Sequence, residues 1–243
     1  VDATALDTTL TPSLAPSSTA DCIVFNFPHH PGKGRIQRNR DLIRGFFESA
    51  APFLSDTGHI RISLAAGQGG TPVDKPRLWG DTWQVTAQGA VAGLLLSSIY
   101  PFLPPPGYYC RGYKSQDKGF HLSGAMQHVF VPQERGVRGL YPAEWDHDIS
   151  FWVPDGFEDA AFETLARSNP DVIAVEKFET FPRNQLPPEA AAFHAHVPPQ
   201  YQESRTYRVR YSSESKALPK EAARQMQLQL RDMTVASLHV YLR

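Results

Sequence analysis

Apolar and polar positions change rhythm several times along this chain, and each change predicts an element. Cys22-Ile23-Val24-Phe25 is an unbroken apolar run of the kind that reads as a buried strand. Pro28 ends that run, because proline has no N–H for a ladder and disfavours helix at the residue before it. Over 38–54 the apolar positions Leu42, Ile43, Phe46, Phe47 and Ala50 follow a helical period. Ile60, Ile62 and Leu64 then alternate as a second strand over 59–64. The stretch 67–80 reads as a mobile loop, and 82–96 as a second helix weakened by Gly89 and Gly93. A third strand is expected over 97–103, closed by Pro104-Pro105-Pro106-Gly107, and a last one at 128–131. Residues 5–20, rich in Thr, Ser and Pro, have no core stripe and read as loop.

From Tyr141 onward the rhythm becomes strand, helix, strand, long loop, strand, helix, strand. Asp155 and Glu158 form a capping-box-like start for a helix burying Ala161, Phe162 and Leu165. Tyr207, Val209 and Tyr211 fall on one side of a strand and Arg208 and Arg210 on the other, so the tyrosines are expected in the core. Pro219 and Glu221 suit the first turn of a second helix with Ala222, Met226 and Leu230 on one face. Leu238, Val240 and Leu242 alternate as a final strand. The expected architecture is two domains: an α/β domain over 1–132 with strand–helix alternation, which implies a parallel sheet, and an α+β ferredoxin-like βαββαβ plait over 140–243. The link 133–139 is short, charged and glycine-bearing, as boundaries tend to be.

Composition narrows the partners. The chain has 243 residues, enough for one large or two small domains, and its 21 prolines imply rigid loops. Net charge is −1, so nucleic acid would have to be held by local patches. Cys22 and Cys110 fit a reducing compartment and offer no metal-ligand spacing. No apolar run nears the ~18 residues of a membrane span, and none reads as a signal peptide. The expectation is an intracellular protein without a membrane partner; cytoplasm, nucleolus and mitochondrion are not distinguished, and no oligomeric state is legible.

The chemistry concentrates where the first strand ends, which is where open α/β sheets place their ligands. Asn26-Phe27-Pro28-His29 resembles the Asn/Asp-Pro-Pro-Tyr element of nucleic-acid nitrogen methyltransferases; a purely geometric strand-ending turn is the other reading. With the Gly32-Lys33-Gly34 loop, Arg38-Asn39-Arg40 and Phe46-Phe47-Glu48-Ser49-Ala50, continuing through Trp83 and Pro106-Gly107-Tyr108 to about Phe130, the chain resembles the large-subunit rRNA (uridine-N3)-methyltransferase family. The resemblance implies a Rossmann-like sheet, S-adenosylmethionine as methyl donor and rRNA as substrate. It also implies an incomplete Rossmann-like domain, because Val1-Asp2-Ala3-Thr4 matches an internal strand of the family and no glycine-rich loop precedes Asp2. Asp2 then matches the acidic residue that approaches the adenine amino group, with a frayed terminal residue as its alternative. On this reading the chain alone is expected not to bind the donor measurably.

Uridine N3 carries a proton, so its methylation needs a base beside the positioning that dominates such transfers. Asn26 is the candidate for the Watson–Crick edge of a flipped uracil, Pro28 fixes the turn, and Phe27 or His29 stacks. His29, whose unperturbed pKa is ~6.5, is the candidate base; an ordinary loop histidine is the alternative. Lys33, Arg35, Arg38, Arg40 and Arg44 form a basic run beside this tetrad, read as RNA phosphate contacts or as a solvated helix face. Further on, Tyr141-Pro142, Asp148 to Pro154, Tyr207 to Tyr211 and Lys216-Ala217-Leu218 resemble the ferredoxin-fold anticodon-binding domain that ends phenylalanyl-tRNA synthetases. That resemblance implies tRNA contact through Arg208, Arg210 and Lys216, extended by Lys220 and Arg224. Ser212 replaces an arginine usual in that family and removes one charge. No synthetase active site or nucleotide loop is present, so aminoacylation is not implied. Two functions follow: a donor-dependent RNA (uridine-N3) methyltransferase with a tRNA-binding-like module, or a non-catalytic RNA-binding protein that has lost the cofactor site.

Overall fold

The computed structural model describes residues 2–9, 18–30, 36–109 and 122–243, which fall into two compact units. The first comprises 1–143 with 213–219, and the second 144–212 with 220–243. The described residues are mixed α/β and form two four-stranded sheets.

In the first unit the order is α1 (Leu6–Thr9), β1 (Ala20–Asn26), α2 (Ile36–Ala50), β2 (Leu54–Leu64), α3 (Val85–Val91), β3 (Leu94–Pro101) and β4 (Met126–Pro132). The sheet order is β1-β2-β4-β3. Only β1 and β2 pair in parallel; β4 runs antiparallel to both its neighbours, so the sheet is mixed where alternation alone implied a parallel one. Helix α1, with Leu6 buried in the core, forms inside the stretch 5–20 expected to be loop. From β1 onward strand, helix, strand, helix, strand, strand is the expected order, and a methyltransferase-type sheet is consistent with it. Boundaries differ for identifiable reasons. Pro52 cannot continue α2 and sits in a 3-10 turn, after which β2 starts at Leu54, earlier than its alternation begins. Helix α3 is shorter than expected: Gly93 takes a left-handed φ of 70°, and Leu94, Leu95 and Leu96 go into β3, all buried.

One face of this sheet packs under α2 and α3. Ile60, Ile62, Leu64, Ile43, Phe47 and Phe130 are all fully buried. The Phe47 and Phe130 rings lie 4.7 Å apart, and Phe25 packs on Phe46 at 4.6 Å. Each such aromatic pair adds about 0.5–1.5 kcal/mol beyond its buried area. The other face carries Cys22, Val24, Arg61 and Tyr100, all exposed.

The second unit runs β5 (Trp145–Val153), α4 (Asp159–Arg167), β6 (Val172–Pro182), α5 (Pro188–Phe193), β7 (Glu203–Tyr211), α6 (Lys220–Leu238) and β8 (Tyr241–Leu242). Its sheet order is β6-β7-β5-β8, and every pairing is antiparallel. Tyr207 and Tyr211 are fully buried, with Tyr207 between Phe151 and Phe162 at 5.4 and 4.4 Å. The tyrosine hydroxyls find partners, on Asp159 at 2.5 Å and Gln227 at 2.7 Å. No capping box forms at α4: Glu158 makes no side-chain cap bond, and Asp159 in the first turn serves the core instead. Of the expected Ala161, Phe162 and Leu165, Phe162 is buried and is joined by Ala166, while Ala161 is exposed and Leu165 half-buried. In α6 the buried face is Ala223, Gln227, Leu230 and Thr234, so only Leu230 of the expected trio is buried. Leu238 ends α6, not a strand, and β8 is two residues long. The proline-rich stretch after β6 is folded: Arg183 donates to the carbonyls of Val197 and Pro198 at 2.9 and 2.7 Å, and Trp152 donates to His194.

Two outcomes follow from this packing. A Cβ on Gly89 of α3 would stand 2.7 Å from the Phe130 ring. Gly89→Ala is expected to lower stability by about 1–3 kcal/mol through overpacking, although alanine favours helix; a raised urea midpoint would contradict it. Burial alone would raise the Asp159 carboxyl, but hydrogen bonds from Lys177, Tyr207 and Arg205 outweigh it and bring it to about 2 from 3.8. Its stabilisation is therefore complete above the usual carboxylate range and lost as pH falls through the folded value. Asp159→Asn is expected to lower the melting temperature at pH 7 and to flatten its decline between pH 4 and 2. An unchanged acid limb would show the network to be inert.

Candidate functional site

The first unit gathers its polar chemistry at the carboxyl ends of β1 and β2. Asn26 is the last residue of β1 and is in register with Ser63 of β2. The Ser63 hydroxyl donates to Asn26 Oδ1 at 2.8 Å, and Gln127 of β4 donates its amide to Ser63 Oγ at 3.3 Å. Ser63 is fully buried while its two amide neighbours stay partly exposed. Phe27 follows with φ 51°, a left-handed conformation that a bulky residue adopts only when its surroundings impose it. What holds it is visible: its N–H donates to the Ser63 carbonyl at 2.8 Å, and its ring meets Phe102 edge-on at 4.9 Å. Phe102 in turn touches Tyr108 at 5.6 Å, so an aromatic wall stands beside the amides.

Pro28 is buried and turns the chain out of the sheet. His29 is exposed, with Nδ1 2.9 Å from the His30 carbonyl and its ring 6.0 Å from Trp83. A carbonyl can only accept, so this contact places the proton on Nδ1 and leaves Nε2 with its lone pair outward. The His30 N–H donates to Asn39 Oδ1 at 2.9 Å, tying the turn to the first part of α2. Asn39 is buried and is a supporting residue that the sequence did not single out.

The basic run resolves unevenly. Lys33 and Arg35 lie outside the described residues. Arg40 donates to the carbonyls of Thr82 at 3.0 and 2.7 Å and Gly80 at 2.7 Å, pinning the loop that carries Trp83. Partial burial holds its pKa below the usual arginine value. Arg44 bonds Asp41 at 2.6 Å and Gln88 at 3.2 Å. Arg38 is exposed on α2 and is the cation of this run, among the described residues, that remains available to a phosphate.

Asp2 stands elsewhere. Its carboxylate accepts from Thr4 N–H and Oγ at 2.9 and 2.8 Å, with Thr4 N–H the main cause of its lowered pKa. Leu6 N–H bonds Ser49 at 2.6 Å, so this segment lies against the end of α2, ten residues or ~15 Å along the helix from Asn39. Among the described residues no hydrogen bond joins Asp2 to Asn26. A cavity of about 320 Å³ beside α1 is lined by Ala3, Leu6, Ile23, Phe25, Phe46 and Phe53 and offers little to a charged ligand.

In the second unit Arg208 and Arg210 do share a face, but each is matched to a carboxylate on β5. Arg208 grips Asp148 at 2.8 and 3.0 Å, and Arg210 grips Asp146 at 2.7 and 2.9 Å. These bonds raise both guanidinium pKa values and lower that of Asp146. Phe178 lies under Arg208 at 5.2 Å. Lys216 is exposed but belongs to 213–219, which clusters with the first unit and not with the arginines. The described residues contain no cluster of three or more potential metal ligands, and no helix long and apolar enough to cross a membrane.

This rim of amides, aromatics and an outward imidazole is suited to holding a planar base, and sequence kinship points the same way. Residues 1–115 match the family described as BMT5-like, rRNA (uridine-N3-)-methyltransferase BTM5-like. The chain is also 49% identical over 114 residues to the human ferredoxin-fold anticodon-binding domain-containing protein 1, and 46% identical over 114 residues to its mouse homolog. Each match takes in 46% of this chain and only 18% of the relative, so the chain aligns with under a fifth of the curated proteins it resembles.

Because Arg208 and Arg210 are held by Asp148 and Asp146, reversing both to Glu places four carboxylates in one cross-strand ladder. The double variant is expected to melt several degrees below the parent at low salt, with the gap narrowing as salt is added. An unchanged melting temperature would show the ladder to be energetically silent.

Proposed function

We propose that the first unit holds the target base of an S-adenosylmethionine-dependent RNA (uridine-N3) methylation, with rRNA as the RNA. The carrying observation is Asn26 at the carboxyl end of β1, locked by Ser63 beside a strained Phe27. Its amide nitrogen is positioned to donate to a uracil carbonyl, the Phe27–Phe102–Tyr108 wall to stack on the ring, and His29 Nε2 to take the N3 proton. Buried Pro28 keeps the turn from relaxing. Arg38 supplies a phosphate contact that positions the strand without reading it.

The donor is a separate matter. S-adenosylmethionine would bring the electrophilic methyl group; among the described residues Asp2 is the acidic candidate for its amino group, and Asp2 Oδ1 already accepts from the Thr4 N–H and hydroxyl. That same observation favours a second reading, an RNA-binding protein without catalysis.

For the second unit, β-α-β-β-α-β apart from the short α5, with strand order β6-β7-β5-β8, supports a ferredoxin-like plait and kinship with anticodon-binding domains. The matched arginine pairs speak against tRNA binding through its sheet face, which leaves Lys220 and Arg224 of α6 to carry the tRNA half of the reading.

Fluorescence anisotropy with a uridine-rich single-stranded RNA tests the base-binding reading. Asn26→Ala is expected to weaken binding about three- to tenfold, one lost hydrogen bond to the base. Arg38→Ala should weaken uridine-rich and cytidine-rich RNA alike and reduce the salt slope by about one. Equal affinity of parent and Asn26→Ala would reduce the tetrad to a structural turn. Release of N3-methyluridine in a reaction containing the donor, lost in His29→Ala, separates the catalytic reading from the non-catalytic one.

A further inference from the structure

The row that contains Asn26 extends across the whole first sheet. Asn26 of β1 is in register with Ser63 of β2, Ser63 with Gln127 of β4, and Gln127 with Tyr100 of β3. All four stand on the face away from α2 and α3, because their neighbours Ile62, His128 and Ile99 occupy the core side. Three of the four are hydrogen-bonded in series, and Tyr100 closes the row with a ring 56% exposed.

The central hydroxyl has one proton. Ser63 gives it to Asn26 Oδ1 and accepts from Gln127 Nε2. Asn26 must then turn its NH2 away from Ser63, and Gln127 must turn its carbonyl oxygen away. Among the described residues neither Asn26 Nδ2 nor Gln127 Oε1 has a hydrogen-bond partner. If both amides flipped together, Ser63 would donate to Gln127 and accept from Asn26, and the row would still show one donor and one acceptor. A buried hydroxyl bonded on both sides thus couples the orientations of the two amides.

We propose that Ser63 and Gln127 are positioning and specificity residues of the base site, and that this row reads the edge of a pyrimidine imide. Resting on the base-binding reading above, the assignment is specific and concerns the bound base before any proton is removed. Asn26 Nδ2 donates to a ring carbonyl and Gln127 Oε1 accepts from the adjacent ring N3–H, a hydrogen bond that ends when His29 Nε2 takes that proton. Uracil presents that carbonyl-and-N–H pair on its Watson–Crick edge, and N3-methyluracil has lost the N–H. Ser63 touches neither atom of the base; it acts by fixing both amides. Ser63→Ala should therefore release two amides that are each still present, and damage recognition more than deletion of one partially buried hydroxyl would suggest.

The test compares a uridine decamer with the same decamer made of N3-methyluridine, by fluorescence anisotropy at one salt concentration. The parent chain is expected to prefer the unmethylated decamer about three- to tenfold, the value of the one hydrogen bond that the methyl group removes. Ser63→Ala and Gln127→Ala should bring that ratio to about one, chiefly through lost affinity for the unmethylated decamer. Ser63→Thr keeps the hydroxyl and should keep the ratio, which guards against a Ser63→Ala variant that is merely misfolded. If Asn26→Ala abolishes the ratio but Ser63→Ala and Gln127→Ala leave it intact, the base-binding reading stands and the row assignment is wrong. A parent chain that does not distinguish the two decamers overturns both.

Discussion

Phe130 is wedged between the ring of Phe47 on α2 and the bare Cα of Gly89 on α3, and the first unit is arranged around that fit. A side chain at 89 would hold α3 off the sheet; its absence lets both helices share one face and bury Ile60, Ile62 and Leu64 together. Because β-strand side chains alternate, burying those three residues sends Arg61, Ser63 and Asn26 to the other face. The polar rim is thus a consequence of the core. A one-residue slip of β2 against β1 would separate Ser63 from Asn26 and remove the rim.

The turn after β1 carries the strain that the core makes possible. A left-handed phenylalanine costs of order 1–3 kcal/mol and persists only where neighbours over-determine it. Here the neighbours are the Ser63 carbonyl, the Phe102 ring and the Asn39 side chain on either side of the turn. Arg40 extends the same scaffold to the loop bearing Trp83, which makes it a structural cation in a run that looks like an RNA patch.

Much of the fold was legible because it rests on periodicity. The α2 stripe, the β2 alternation and the buried face of β7 are all local patterns, and Tyr207 and Tyr211 lie in the core as that pattern requires. Boundaries were less legible where a tertiary contact overrides propensity: Leu94–Leu96 extend no helix because β4 offers them a ladder, and Leu238 stays helical because α6 continues past its buried face. Asn26, Pro28 and His29 could be named from the tetrad itself. Ser63 and Gln127 could not, since a serine ending an alternating strand and a glutamine starting another carry no signal until register aligns them. The pairing of Arg208 with Asp148 and Arg210 with Asp146 was hidden for the same reason, being set by cross-strand register about sixty residues apart in the chain.

The central claim is that the carboxyl-end rim of the first sheet, on its face away from α2 and α3, receives a uridine base. The most direct measurement is photo-cross-linking with a single-stranded RNA carrying 4-thiouridine, followed by mass spectrometry of the adducts. Adducts are expected within the Phe27–His30 turn and at Tyr100 or Tyr108, lost when unmodified uridine RNA competes. Adducts confined to the β5–β7 face around Phe178, or to the apolar cavity beside α1, would contradict it.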